Sequence, residues 1–82
     1  MNSQAMGLAK AGRIDDAAAH FAEALTLYPS NAMLNNNYGV TLMRQGNYED
    51  AMNSFDKALV SDPANDNAIR NKADLVNFLE KR

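Results

Sequence analysis

The chain contains no cysteine, and proline occurs only twice in its 82 residues. Without cysteine it can form neither disulfides nor thiolate metal sites, and cysteine usage leaves the compartment open. No apolar run approaches the ~20 residues that a bilayer-spanning helix needs, so we expect no membrane insertion. The start, Met1-Asn2-Ser3-Gln4, lacks the basic and apolar regions of a signal peptide. If the chain is complete, a cytoplasmic location is favoured.

Positive charge is also scarce. Eight lysines and arginines stand against ten aspartates and glutamates, which gives a net charge of −2. The cations form no dense run, so the sequence offers no basic patch for a phosphate backbone. Nucleic-acid binding is therefore disfavoured.

Residue sets typical of catalysis are missing as well. There is no Gly-rich phosphate loop, no Ser/His/Asp set and no metal-spaced cluster. His20, the single histidine, has no partner at a recognisable spacing and is expected on a solvated helix face. The acidic pairs Asp15-Asp16 and Glu49-Asp50 suit the first turns of helices, where carboxylates interact favourably with the helix dipole. We therefore expect no enzyme activity and no cofactor.

What the chain does contain is one residue frame that occurs twice, 34 residues apart. A frame repeated at such a period is typical of folds built by stacking copies, in which function belongs to the surface of the stack. The first copy consists of Gly12, Ala17, Phe21, Ala24, Leu25 and Pro29, and the second of Gly46, Ala51, Phe55, Ala58, Leu59 and Pro63. Further identities at this spacing are Asn2/Asn36, Leu8/Leu42, Asp16/Asp50, Asn31/Asn65 and Asn37/Asn71.

Five helical stretches joined by short turns are predicted. Glycine ends the first and third, and proline stops the second and fourth because it cannot continue the hydrogen-bond ladder. No segment alternates with period two, so the predicted class is all-α. The stretches cover about Asn2–Ala11, Asp15 to the stop at Pro29, about Ala32–Gln45, Tyr48 to the stop at Asp62-Pro63, and the region from near Asn65 to the C-terminus.

The fifth stretch has apolar residues on two sides. Ile69, Ala73, Val76 and Leu79 form one stripe, which we expect to be its packed face. Phe78 lies opposite, so a single neighbouring helix cannot bury both sides. An exposed Phe78 indicates a contact with a ligand, another subunit or further repeats. The alternative is fraying near the C-terminus, where single exposed apolar residues are ordinary.

Small residues mark the places where helices approach closely. Ala51 and Ala58 flank Phe55, which is expected to fill the gap between the two helices of a hairpin. Gly39 lies inside a predicted helix, where glycine costs about 1 kcal/mol relative to alanine. We therefore predict a close backbone contact at Gly39.

The repeated frame resembles the tetratricopeptide repeat, whose outline is W-x2-L-G-x2-Y, then A-x3-F, then P, over 34 residues. Gly39, Ala51, Phe55 and Pro63 match this outline, whereas Asn35 stands where the family has an aromatic residue. The residues that keep the apolar character with a changed type are Tyr38 and Leu42, and those that match in the clipped first copy are Ala17, Phe21 and Pro29.

The resemblance implies a right-handed α-α superhelix of two antiparallel helical hairpins plus a C-terminal capping helix, within a single domain of residues 1–82. Repeat one would cover about 1–31, repeat two about 32–65 and the capping helix about 66–82. It also implies binding of a peptide or protein segment in a concave groove lined by the first helix of each pair, without catalysis. The groove candidates are Asn2, Ser3, Met6, Lys10, Met33, Asn36, Asn37, Val40, Arg44, Asn67, Arg70, Asn71, Asp74 and Phe78.

Asn37 and Asn71 are the sharpest candidates, because in several members of this family an asparagine at this place grips the backbone of an extended peptide. A carboxamide can pair with the N–H and C=O of one peptide unit together. The alternative is that Asn35, Asn36 and Asn37 form a solvated polar face. The family's clamp for a C-terminal carboxylate is disfavoured, because its cations are absent here.

Two further alternatives concern the size of the stack. Repeat stacks generally need about three repeats for stability, and this chain has two hairpins and a cap. Copies of the chain could therefore self-associate through exposed end helices, as a structural homo-oligomeric scaffold. The chain could equally be a part of a longer array.

Overall fold

A computed structural model describes residues 14–81, which form four α-helices and contain no strand. The helices are α1 (Ile14–Leu27), α2 (Ala32–Gln45), α3 (Tyr48–Ser61) and α4 (Asp66–Lys81). This part of the chain confirms the all-α prediction with four helices rather than five, because the helix expected over Asn2–Ala11 lies outside the described residues. No helix in the described range combines the length and apolarity needed to cross a bilayer.

The helices pack mainly against their neighbours in the chain. α1 contacts α2, α2 contacts α3, and α3 contacts α4, while α2 also touches α4. The core lies between α2, α3 and α4, where Leu42, Ala51, Phe55 and Leu75 form one buried cluster. α2 and α3 therefore form a complete hairpin, with α1 on one side of it and α4 on the other.

Two asparagines start α2 and α4 in the same way. The Asn31 side-chain oxygen accepts a hydrogen bond from the Leu34 backbone N–H at 3.0 Å. The Asn65 side-chain oxygen accepts one from the Ala68 backbone N–H, also at 3.0 Å. Each bond satisfies a backbone donor that the first turn of a helix leaves without an intrahelical partner. The Asn31/Asn65 identity in the sequence is thus explained by helix capping.

Replacing either cap by alanine is expected to lower the free energy of unfolding by about 1 kcal/mol, because a first-turn N–H loses its acceptor. Urea denaturation of Asn31→Ala and Asn65→Ala measures this. Asn53→Ala is the matched control, since Asn53 is exposed within α3, where alanine is the better helix former. A loss for Asn53→Ala as large as for the caps would contradict the capping role.

Gly46 closes the turn between α2 and α3. Its φ of +84° is in the left-handed region, which glycine adopts without the steric cost of a side chain. The Gly46 N–H donates to the Met43 carbonyl at 3.0 Å, and the Asn47 N–H donates to the Leu42 carbonyl at 2.9 Å. These bonds satisfy the last carbonyls of α2 and turn the chain directly into α3.

Gly39 permits a close approach between the backbone of α2 and the Phe55 ring of α3. A Cβ atom at this position would lie 2.5 Å from Cε1 and 2.7 Å from Cδ1 of Phe55. The Phe55 ring is fully buried, so it has little room to move away. The close contact predicted at Gly39 is present, but α3 meets the α2 backbone there with the Phe55 side chain and not with its own backbone. This contact explains why glycine stands inside a helix.

The predicted packed face of α4 is wrong for three of its four residues. Ile69 is 47% exposed and Val76 36% exposed, and Ala73 is exposed too, whereas Leu75 is fully buried. The residues 34 positions before Ala73 and Val76 are Gly39 and Leu42, which α3 covers within the same hairpin. Within residues 14–81, no helix covers Ala73 and Val76 of α4 in the way that α3 covers Gly39 and Leu42 of α2. α4 therefore packs against the core through Ala68 and Leu75, together with Leu79, the residue of the predicted stripe that does contact the core.

Candidate functional site

α2 and α4 are joined side by side through two asparagines. The Asn71 side-chain amide on α4 donates a hydrogen bond to the Asn36 side-chain oxygen on α2 at 3.0 Å. Asn36 is almost completely buried, and Asn71 is half-buried. This bond links the two helices directly, and the solvent-facing residues beside it on both helices make up one surface.

We call this surface the first-helix face. Met33 is 64% exposed on it, and Val40 is half-buried because it also packs against the core cluster. Ser3 and the other groove candidates before residue 14 lie outside the described residues. We define the face by the predicted groove residues that lie on these two helices and are not fully buried: Met33, Asn37, Val40 and Arg44 on α2, with Asn67, Arg70, Asn71, Asp74 and Phe78 on α4.

The prediction that Asn36 lines the groove is wrong, because Asn36 is buried. With 7% of its surface exposed, it offers little area for contact with a ligand. Its side-chain oxygen instead holds the amide of Asn71. Asn36 is therefore a positioning residue for the face.

Asn37 and Asn71 repeat in the sequence but are not equivalent in the structure. The Asn71 amide donates one of its two N–H groups to Asn36, so only its other N–H and its side-chain oxygen are left for another molecule. No hydrogen bond within residues 14–81 engages the side chain of Asn37. Its backbone carbonyl accepts from the Thr41 hydroxyl at 3.0 Å. Asn37 thus keeps both halves of its carboxamide for the surface.

Phe78 has a partner within the chain. Its ring centroid lies 5.1 Å from that of Tyr48, with the ring planes tilted by 48°, which is within the range of favourable aromatic pairs. Phe78 nevertheless stays 46% exposed. Because α4 continues to Lys81, Phe78 lies within the helix rather than in a frayed end. The Tyr48–Phe78 pair forms one end of the first-helix face.

Charge is unevenly divided between the helices. α2 and α4 together carry three carboxylates and four cations, whereas α1 and α3 carry six carboxylates and one cation, Lys57. The first-helix face itself carries two cations, Arg44 and Arg70, and one carboxylate, Asp74. α2 and α4 are thus the less acidic pair among the four described helices of a protein whose net charge is negative.

A family model described as tetratricopeptide repeat matches residues 2–66 of this chain. The chain belongs to the tetratricopeptide repeat family. Tetratricopeptide repeats generally mediate protein–protein interactions and are generally non-catalytic. A comparison with curated proteins finds no significant match.

In the tetratricopeptide repeat frame, Asn35 stands in place of an aromatic residue, and the alternative that it belongs to a solvated polar face is wrong. Its side chain is 2% exposed, and its amide donates to the carbonyls of Pro29 and Asn31, each at 3.1 Å. It thereby ties α2 to the turn that follows α1. A signal was present in the sequence, because Asn35 lies four residues after Asn31 and six after Pro29, within reach of that turn.

The other polar candidates lie away from the face. His20 is exposed on α1. Asp15, in the first turn of α1, accepts a hydrogen bond from the side-chain amide of Gln45 at 2.7 Å and so links α1 to α2. Within residues 14–81, no three His, Cys, Asp or Glu side chains come together as a metal site.

Proposed function

We propose that this tetratricopeptide repeat chain is a non-catalytic interaction module that binds an extended peptide or protein segment along the first-helix face. One observation carries the proposal. Met33 and Asn37 lie one turn apart on α2, and among residues 14–81 the Asn37 carboxamide makes no hydrogen bond and neither side chain belongs to the core cluster. A surface that offers a paired donor and acceptor beside an exposed apolar side chain is suited to peptide recognition.

The proposed architecture gives this face its shape. Stacked as a right-handed superhelix of two hairpins and a cap, the first helices would line a concave groove. Four described helices and the family membership support this arrangement, in which a helix over Asn2–Ala11 would complete the first hairpin. The groove candidates on α2 and α4 would then lie along one continuous path.

In the proposed mode of binding, the protein contacts the backbone of the peptide more than the peptide's side chains. Asn37 would accept from and donate to one peptide unit, and the Asn71 oxygen would accept a backbone N–H further along. Met33 supplies a flexible apolar contact that adapts to different side chains. Such a site is tolerant of ligand sequence and gains its affinity from several modest contacts.

The test begins with a random library of unstructured peptides, selected for binding to the 82-residue chain. We expect Asn37→Ala to weaken the binding of a selected peptide by about tenfold, because two hydrogen bonds of roughly 0.5–1.5 kcal/mol each are lost. Isothermal titration calorimetry measures the dissociation constant. Asn53→Ala is the matched control, since Asn53 is an exposed asparagine on α3, away from the face.

Two results would contradict the proposal. The first is a selected peptide that binds Asn37→Ala as tightly as the parent. The second is a loss for Asn53→Ala that equals the loss for Asn37→Ala. Asn71→Ala serves as a further comparison, because it also leaves the buried Asn36 oxygen without its donor and should lower stability as well as affinity.

A second candidate function is that of a structural scaffold that continues by stacking, either with its own copies or with further repeats. The observation that favours it is the exposed stripe of Ile69, Ala73 and Val76 on α4. This stripe lies on the opposite side of α4 from Phe78. The two candidate functions therefore use different surfaces and can be tested separately.

A further inference from the structure

The exposed stripe of Ile69, Ala73 and Val76 on α4 lies beside Leu59 of α3, and together they line an apolar groove. Leu59 joins Ile69, Ala73 and Val76 around a space of about 360 Å³. The groove runs along the α4 axis and is open to solvent. We call these four residues the end patch.

The 34-residue register indicates what kind of element fits the end patch. One repeat earlier, the positions of Ala73 and Val76 are occupied by Gly39 and Leu42, which pack under Phe55 of α3. That covering helix runs antiparallel to α2, as hairpin helices do. The end patch thus has the form of a surface that an antiparallel helix covers, with small Ala73 allowing close approach.

The charges beside the end patch favour one partner. Lys72 borders the groove between Ile69 and Ala73, and Glu80 borders it four residues after Val76, so each charge lies four residues from Val76. An antiparallel copy of α4 brings the Glu80 of each chain towards the Lys72 of the other. A parallel copy would set like charges side by side, which is unfavourable. Lys72 also pairs with Asp56 at 2.6 Å, so its ammonium group is held at the seam between α3 and α4.

We infer that a second copy of this chain covers the end patch around Ala73 and Val76, with the two α4 helices antiparallel about a two-fold axis near Val76, an arrangement that leaves Ile69 at the rim of the contact. Such a contact is isologous, so it closes at the dimer. It uses one helix and a small patch, and is therefore a weak, concentration-dependent association rather than an obligate dimer. The inference makes the second candidate function specific and is independent of peptide binding at the first-helix face.

Sedimentation velocity on the 82-residue chain, from about 10 µM to about 1 mM, tests the association. We expect the parent to shift from monomer towards dimer. Val76→Glu should weaken dimerisation by about tenfold or more, because it places an unpaired carboxylate in the contact. Val60→Glu is the matched control, since Val60 is 83% exposed on α3 outside the end patch and should dimerise like the parent. Both valines are exposed, and circular dichroism at low concentration confirms that each variant folds.

The absence of cysteine allows a direct test of the two-fold axis. Val76→Cys should form an intermolecular disulfide under mild oxidation at least about tenfold faster than Val60→Cys, because only the first position lies next to its own symmetry mate. The rate is read from non-reducing gels. Peptide binding measured in parallel separates this inference from the first proposed function.

Each possible result either supports or overturns the inference. A dimer sensitive to Val76→Glu and insensitive to Val60→Glu, with rapid cross-linking at position 76, supports the inference. A parent that stays monomeric up to about 1 mM overturns it, and points to a different helix as the occupant. Open-ended species larger than a dimer overturn the two-fold arrangement in favour of head-to-tail stacking. Equal cross-linking at positions 60 and 76 also overturns it.

Discussion

Leu75→Ala is expected to lower the free energy of unfolding by about 2–5 kcal/mol, the largest effect we predict for any single replacement in this chain. Leu75 is fully buried and belongs to the core cluster with Leu42, Ala51 and Phe55. Its truncation removes apolar contacts and leaves a cavity that the surrounding helices fill only in part. For a domain of this size the midpoint of thermal unfolding should fall by about 10 °C or more.

Ile69→Ala is the comparison that makes this result decisive. The two residues lie six positions apart on the same helix, and the sequence pattern alone favours Ile69 as the buried one. Because Ile69 is nearly half exposed, its replacement should change the free energy of unfolding by less than about 0.5 kcal/mol. Both are measured by urea denaturation at low protein concentration, where association through the end patch is negligible. A larger loss for Ile69→Ala than for Leu75→Ala would mean that α4 packs through the other face.

Gly39→Ala is expected to destabilise the domain by about 1–3 kcal/mol, although alanine is the better helix former by about 1 kcal/mol. The added Cβ would lie 2.5 Å from the Phe55 ring, which the buried core holds in place. The steric cost therefore exceeds the gain in helix propensity. Thermal unfolding followed by circular dichroism gives the sign directly, since an unconstrained helical glycine would give an increase.

A double-mutant cycle with Phe55→Leu identifies the source of that cost. The smaller, more flexible leucine side chain removes the ring atoms that the new Cβ would meet. In the Phe55→Leu background, Gly39→Ala should therefore be neutral or stabilising. Equal destabilisation in both backgrounds would show that the cost of alanine at this position arises elsewhere than at the ring.

The sequence predicts the helices of this protein well, because their signals are local. Residues Ala32 and Gln45 bound α2 as expected, since Asn31 caps one end and Gly46 closes the other. The close contact at Gly39 also follows from sequence, because glycine inside a helix needs a packing reason. The sequence does not predict which face of α4 is buried. Its pattern fits two apolar sides, and only the position of α3 decides that Leu75 is buried while Ile69 is not.

The first-helix face shows the same division between local and tertiary information. Periodicity places Met33, Asn37 and Asn71 on one side of their helices, and the structure keeps them at the surface. Periodicity cannot show that Asn36 is buried beneath Asn71, because that contact joins residues 35 positions apart. The repeated asparagines look alike in the sequence, and a single hydrogen bond between helices makes them different.

The packing of each helix mainly on its neighbours in the chain has a kinetic consequence. Contacts that join residues close in sequence need little loop closure before they form, so the domain should fold rapidly, on the microsecond to millisecond scale of helical proteins. Nucleation at the α2–α3 hairpin can then spread outwards one helix at a time. The same arrangement lets α4 detach without disturbing the opposite side of the hairpin, so its amide hydrogens should exchange with solvent before those of α2 and α3.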